Sequence, residues 1–202
     1  MWVVKLGGSL ADYPDDLRRW IKVLAEAGKG RMVIVPGGSF FADRVREAQK
    51  KWGFDDAAAH AMGLRAMEQF GLMLCGLQKG LVPARTETEI RKVLHENQVP
   101  VWLPVQSLAS EDLPPSWDVT SDSLAAWLAR RLDAERLVLV KSCALPEGEM
   151  DMAELSRKGI VDAAFSEFVD AAAFDVCLVN REDYFRVYSY LKQRTSGAKF
   201  SS

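Results

Sequence analysis

Lys5 follows an apolar run, Trp2-Val3-Val4, and leads at once into Leu6-Gly7-Gly8-Ser9; a similar order returns at Met32-Val33-Ile34-Val35-Pro36-Gly37-Gly38-Ser39. Paired glycines let backbone N–H groups come close to phosphate oxygens, and a lysine emerging from a strand can neutralise charge that builds up during phosphoryl transfer. A helix starting after Gly38 adds the positive end of its dipole, which suits an anionic substrate opposite the first glycine pair. A third stretch, Trp117-Asp118-Val119-Thr120-Ser121-Asp122-Ser123, sets two aspartates ahead of the small-residue run Leu124-Ala125-Ala126. At a helix start, one carboxylate can reach a ligand while the other holds a lysine in place. Plainer readings stand beside these: a strand-to-loop turn for a glycine pair, and a double N-cap for Asp118 and Asp122. Neither glycine stretch is a P-loop or a Gly-x-Gly-x-x-Gly fingerprint.

Such residues need a scaffold that gathers strand ends, and the chain alternates short apolar bursts with longer amphipathic stretches, the pattern of parallel strands joined by crossover helices. The bursts predict strands at Trp2–Leu6, Met32–Val35, Val99–Pro104, Leu137–Val140 and Asp175–Val179, with a weaker one near Leu81–Ala84. Helices are predicted over Pro14–Ala27, Phe40–Trp52, Asp56–Gln78, Thr88–Glu96, Ser121–Asp133 and Arg181–Gln193, with another inside Asp162–Ala172. Thr86 or Thr88, and Ser121, are the cap candidates. Both glycine pairs then fall at the carboxyl ends of strands, the edge where open α/β sheets bind ligands. Ala109–Asp118, with Pro114-Pro115, and Leu145–Gly159 read as irregular, and Thr195–Ser202 as a frayed tail.

A chain of 202 residues, 49% apolar and 27% charged, is expected to form one α/β domain with a sizeable core. A net charge of −2 argues against nucleic acid as the main partner. The apolar runs are too short to span a bilayer and the amino terminus lacks a signal-peptide pattern, so no membrane partner and a cytoplasmic location are expected. Cys75, Cys143 and Cys177 are odd in number and set among apolar residues, which predicts free buried thiols and no metal site.

Together the three motifs resemble the amino acid kinase family from Trp2 to about Val140, a family that includes carbamate, acetylglutamate, uridylate and isopentenyl phosphate kinases. The resemblance implies a shortened three-layer α/β/α sandwich with a mostly parallel central sheet. It implies a single domain over residues 1–202, with an acceptor half at about 1–115 and a nucleotide half at about 116–194. Carried over, it assigns Lys5, Gly7, Gly8 and Ser9 to the ATP phosphates and the transferring group, and Gly37 and Gly38 to the acceptor. Asp118 takes the substrate-side position and Asp122 the one that orients the catalytic lysines. A second catalytic lysine is implied in the nucleotide half. Lys158, in Ser156-Arg157-Lys158-Gly159-Ile160-Val161-Asp162, and Lys141, where relatives often carry aspartate or threonine near the nucleotide, are its candidates; a solvated strand-end lysine is the plainer reading of Lys141.

The long helix from Asp56 carries His60 and Arg65 toward the acceptor, although core packing is the plainer reading of His60, Met62 and Met67. That helix, the Trp-Asp-Val-Thr-Ser-Asp-Ser motif and the Lys-Gly-Ile-Val-Asp segment are similar to the branch of the family serving methanofuran synthesis, which implies a phosphorylated aminomethylfuran acceptor. The expected activity is ATP-dependent phosphoryl transfer to a small, phosphate-bearing molecule, with Mg2+ bridging the ATP phosphates and the protein acting as a homo-oligomer. Two alternatives are an acyl-phosphate-forming amino acid kinase and a non-catalytic nucleotide- or anion-binding protein on the same fold.

Overall fold

Apolar and β-branched runs become strands, and amphipathic stretches the helices between them, in a computed structural model that describes residues 1–109, 111, 115–146, 151–170 and 172–194. In chain order the elements are β1 (Trp2–Leu6), α1 (Pro14–Ala27), β2 (Met32–Pro36), α2 (Ser39–Trp52), α3 (Asp56–Leu77), β3 (Leu81–Ala84), α4 (Glu87–His95), β4 (Val99–Trp102), α5 (Pro104–Leu108), α6 (Ser121–Arg131), β5 (Arg136–Lys141), α7 (Met152–Arg157), α8 (Phe165–Val169), β6 (Asp175–Asn180) and α9 (Tyr184–Arg194). Turns of 3₁₀ helix lie at Gly8–Asp12 and Arg181–Asp183. The strands line up in the order β3-β4-β2-β1-β5-β6, and every described pairing is parallel. This is the three-layer α/β/α architecture expected from the motifs.

Side chains alternate across each strand, so the parallel register decides which residues share a face. β1 pairs with β5 as Val3↔Leu137, Lys5↔Leu139 and Leu6↔Val140. Val3, Val33, Val35, Leu137 and Leu139 therefore pack in one core cluster with Leu124, Ala125, Ala126, Leu128 and Ala129 of α6. Trp2, Val4, Leu6, Ile34, Val138 and Val140 face the other way, against Trp20 and Leu24 of α1, Phe70 and Leu74 of α3 and Leu191 of α9. By the same alternation, Lys5 and Lys141 project from the α6 face of the sheet. Small residues in α6 let that helix sit close over β1 and β5.

Several boundaries differ from expectation for identifiable reasons. The strand expected to run to Pro104 stops at Trp102, because Pro104 occupies the first turn of α5, where its fixed φ and missing N–H are tolerated. The stretch expected to be irregular from Leu145 to Gly159 contains α7, nucleated by Asp151, whose side chain accepts from Ala153 N–H. The helix expected from Arg181 begins as a 3₁₀ turn, because Asn180 and Asp183 form a capping box there. Thr86, rather than Thr88, caps α4 by accepting from Glu89 N–H at 3.2 Å. The thiols are free, but the expectation of burial fails: Cys143 is exposed in the bend after β5, and Cys75 and Cys177 are half-buried. Pro114 and the tail from Thr195 to Ser202 lie outside the described residues, and among those described no helix is long and apolar enough to cross a membrane.

α3 approaches the sheet through Gly71, where an added Cβ would lie 2.8 Å from Leu103 Cδ2, 3.2 Å from Pro36 Cγ and 3.3 Å from Val101 Cγ1. Gly71→Val should therefore destabilise the protein by about 1–3 kcal/mol, as overpacking of a filled core does, measured by urea denaturation. An unchanged midpoint would mean that α3 is not held against the sheet in this way.

Candidate active site

Asp122 lies in the first turn of α6, 4% exposed, beneath the carboxyl ends of β1 and β5. Its Oδ1 is 2.9 Å from Lys5 Nζ and its Oδ2 accepts a hydrogen bond from Lys141 Nζ at 2.6 Å. Lys5 and Lys141 are 5% and 8% exposed, so all three charges are held away from bulk water. Burial alone would push the Asp122 carboxyl up, but the two ammonium groups outweigh it and hold it below the usual carboxylate range. Lys141 moves the other way. Desolvation, reinforced by the charge of Lys5, brings its pKa from 10.5 to about 8, against the pull of Asp122 and Asp162. Within the contact triad two cations share one anion, a pattern that suits an anionic ligand, with Asp162 as a further negative charge nearby.

The glycine pairs have a reason that the sequence did not disclose. The loop after β1 and the loop after β2 touch backbone to backbone: a Cβ on Gly8 would lie 2.3 Å from Ser39 N, and one on Gly37 would lie 2.4 Å from Gly8 N. Gly7 and Gly37 spend their N–H groups on Val140 O at 3.1 Å and Leu6 O at 2.9 Å, so these two stitch the loops to the sheet instead of offering donors to a phosphate. Gly8, Ser9, Gly38 and Ser39 do line a cavity of about 280 Å³. Ser9 Oγ lies 2.6 Å from Ser142 Oγ, tying the first loop to the end of β5. Ser39 has φ of 54°, a left-handed conformation unusual for a residue with a side chain, and its buried Oγ has no hydrogen-bond partner among the described residues. A strained residue presenting an unpaired hydroxyl at the start of α2 is what an anion-holding corner requires.

The opposite wall of the cavity comes from α2, α3 and the loop before α6. Arg46 lies with its guanidinium carbon 4.2 Å from the centre of the Trp117 ring and places Nη1 3.2 Å from Asp43 Oδ1. Trp117 is held by Gln49, which accepts from Nε1 at 2.7 Å, and its ring edge lies 3.6 Å from where a Gly63 Cβ would stand. His60 lines the same cavity, half-buried; desolvation lowers its pKa against an opposing hydrogen bond that the ring donates to the Ser116 backbone.

Not every expected residue joins this assembly. Lys5, Asp122 and Lys141 lie buried beside the cavity and are not part of its lining; Asp118 is also outside the lining but is exposed. Arg65 is also exposed, and turns back to donate to Ala61 O at 2.8 Å. Lys158 is exposed at the end of α7 and pairs with Glu154 at 2.7 Å, so the lysine brought to Asp122 from the later part of the chain is Lys141. Arg46, Ser39 and Trp117 were missed, although Ser39, Ala42 and Arg46 follow the i, i+3, i+7 spacing of one helical face. Among the described residues no three His, Cys, Asp or Glu side chains cluster as a metal site.

Comparison with known proteins bears on the family and the fold. A family model described as the amino acid kinase family matches residues 1–144. The sequence is 28% identical over 141 residues to [5-(aminomethyl)furan-3-yl]methyl phosphate kinase of Methanocaldococcus jannaschii; the match covers 69% of this chain and 64% of that protein's length. Among solved structures, uridylate kinase from Archaeoglobus fulgidus superposes with a TM-score of 0.68 at 16% identity, covering 95% of each chain. An isopentenyl phosphate kinase superposes with a TM-score of 0.61 at 16% identity, covering 95% of this chain and 96% of its own. At such identities the structural neighbours establish the fold alone.

The perturbed lysine gives a direct test. In ligand-free protein the Lys141 side chain should titrate near pH 8, followed by NMR of 13Cε-labelled lysine and assigned with Lys141→Arg. Because the folded value lies below the unfolded 10.5, the unfolded chain binds more protons between about 8 and 10.5. This lysine therefore costs stability below pH 8, and that cost is relieved as pH rises. A midpoint of about 10.4, the ordinary lysine value, would contradict the desolvation of this lysine beside Lys5.

Proposed function

This chain belongs to the amino acid kinase family, and from that membership we propose that it transfers the γ-phosphoryl group of ATP to a small, phosphate-bearing acceptor. The observation that carries the reading is the buried bridge from Lys5 through Asp122 to Lys141, beneath the two glycine loops. In phosphoryl transfer the protein's work is alignment and neutralisation of charge on the moving group. Lys5 and Lys141 supply that neutralisation, and Asp122 fixes the distance between them. The amino end of α2, with the Ser39 hydroxyl, orients the anion beside Gly8 and Gly38. Mg2+, carried on the ATP phosphates, would offset charge that the lysines do not reach.

Acceptor recognition is assigned to the far wall of the cavity. Arg46, stacked on Trp117 and steadied by Asp43, offers a planar cation suited to an acceptor phosphate, and His60 supplies a second polar contact. The named relative acts on a phosphate that also carries an aminomethyl group. An acceptor of that class would meet Asp12 and Asp43, carboxylates that line the cavity here, with its amine; Asp118 lies outside that lining. Leu64, Met67, Val119 and Leu124 give the middle of the cavity an apolar lining that fits a small ring.

Incubation with ATP, Mg2+ and a panel of phosphorylated small acceptors, read by 31P NMR, should produce a new diphosphate with matching ADP. Arg46→Gln should raise the acceptor KM roughly tenfold or more while leaving kcat within about threefold, as loss of a contact present equally in ground and transition states does. Acyl phosphate trapped by hydroxylamine with amino acids alone would overturn the acceptor class. Nucleotide binding without ADP release for any acceptor would overturn the kinase reading.

A further inference from the structure

Thr120 stands at the N-cap of α6 yet makes no side-chain bond to the helix it begins. The missing cap arrives from forty residues away in the chain. Asp162, in the segment between α7 and α8, accepts with Oδ2 from Thr120 N–H at 3.0 Å, Thr120 Oγ1 at 2.9 Å and Ser123 N–H at 3.0 Å, and with Oδ1 from Ser123 Oγ. Thr120 N–H and Ser123 N–H are the two donors that a capping box satisfies locally, at the N-cap and at the third helical residue. Here a single carboxylate takes both, together with both flanking hydroxyls. Asp122 lies between them.

We propose that Asp162 is a positioning residue of the active site: its carboxylate clamps the first turn of α6 and so fixes Asp122 between Lys5 and Lys141. The segment that presents it is pinned at both ends. Val161 and Phe165 are buried in the core cluster that also holds Leu124 and Ala125. Ser156 Oγ donates to Asp162 O at 3.2 Å, and Ala164 N–H donates to Asp118 O at 3.0 Å, so the same segment holds the loop ahead of α6. A negative charge at a helix amino terminus is also favoured by the helix dipole. Lys141 is faced by Lys5 from β1, Asp122 from α6 and Asp162 from this segment, so Asp162 acts on the lysine through charge as well as through the helix.

The consequence for rate rests on the kinase reading, whereas the consequence for Lys141 does not, and two variants separate them. Asp162→Asn keeps an acceptor oxygen for the helix N–H groups but removes the charge; Asp162→Ala removes both. With ATP and a turned-over acceptor, Asp162→Ala should lower kcat about tenfold or more with both KM values within about threefold, while Asp162→Asn should retain most of kcat. In ligand-free protein, NMR titration of 13Cε-labelled Lys141 should move to lower pH in Asp162→Asn than in the wild type. Loss of thermal stability alone in both variants, with unchanged kcat per folded molecule and an unmoved Lys141 titration, would overturn the proposal. Should no acceptor be turned over by the wild type, the kinase reading fails while the Lys141 titration still decides the clamp: a shift larger in Asp162→Ala than in Asp162→Asn supports it, and equal shifts overturn it. Should Asp162→Ala fail to fold, Asp162→Ser, which also loses the charge and the reach to both N–H groups, takes its place in that comparison.

Discussion

Two ammonium groups and one carboxylate, buried together at the end of a parallel sheet, set the terms for the rest of the molecule. Removing three charges from water is costly, and the cost is tolerable only with short contacts and fixed geometry. The contacts of 2.9 Å and 2.6 Å from Asp122 meet that condition, yet within the contact triad two cations share one anion, and the next carboxylate, Asp162, is bound to the first turn of α6. Such a triad suits a site whose ligand brings negative charge, since the ligand completes the neutralisation that the triad leaves unfinished.

The architecture around the cluster follows from placing it. β1 and β5 must be neighbours, in a register that turns Lys5 and Lys141 to the same face, and α6 must lie over them closely enough for its first turn to reach both. Alanines at positions 125, 126 and 129 permit that approach. On the adjoining side, the loops after β1 and β2 must pass within contact of each other to form one wall of the cavity, and side chains at Gly8 or Gly37 would separate them. Ser39 combines a left-handed φ, which Asn97 and Asp133 also adopt, with a buried hydroxyl that has no partner among the described residues, which fits a corner completed by binding.

Much of this was legible in the sequence because it is local. Strands β1 and β3 and helix α1 fall on their expected residues, since buried strands and amphipathic helices advertise themselves by period. The pairing of Lys5 with Asp122 was implied by the family resemblance. Other features depend on neighbours distant in the chain. Lys141 and Lys158 were equivalent candidates until the register placed one on the sheet face beside Asp122 and left the other on the surface with Glu154. Arg65 and Arg46 are both arginines on long helices; the Trp117 plate and the packing of α2 against the cavity decide between them. Asp162 could not be read as a cap for α6, because capping is normally sought within a few residues of the helix start.

The central claim is that Asp122 aligns two cations for transfer, and single-turnover kinetics of Asp122→Asn test it most directly. Asparagine fills the same volume without the charge, so binding and transfer can be observed apart. The account predicts ATP affinity within about threefold of wild type and a transfer rate lowered by roughly a hundredfold or more, as expected when preorganised charge at the moving group is lost. Transfer at close to the wild-type rate, in a folded Asp122→Asn protein that binds ATP normally, would contradict it.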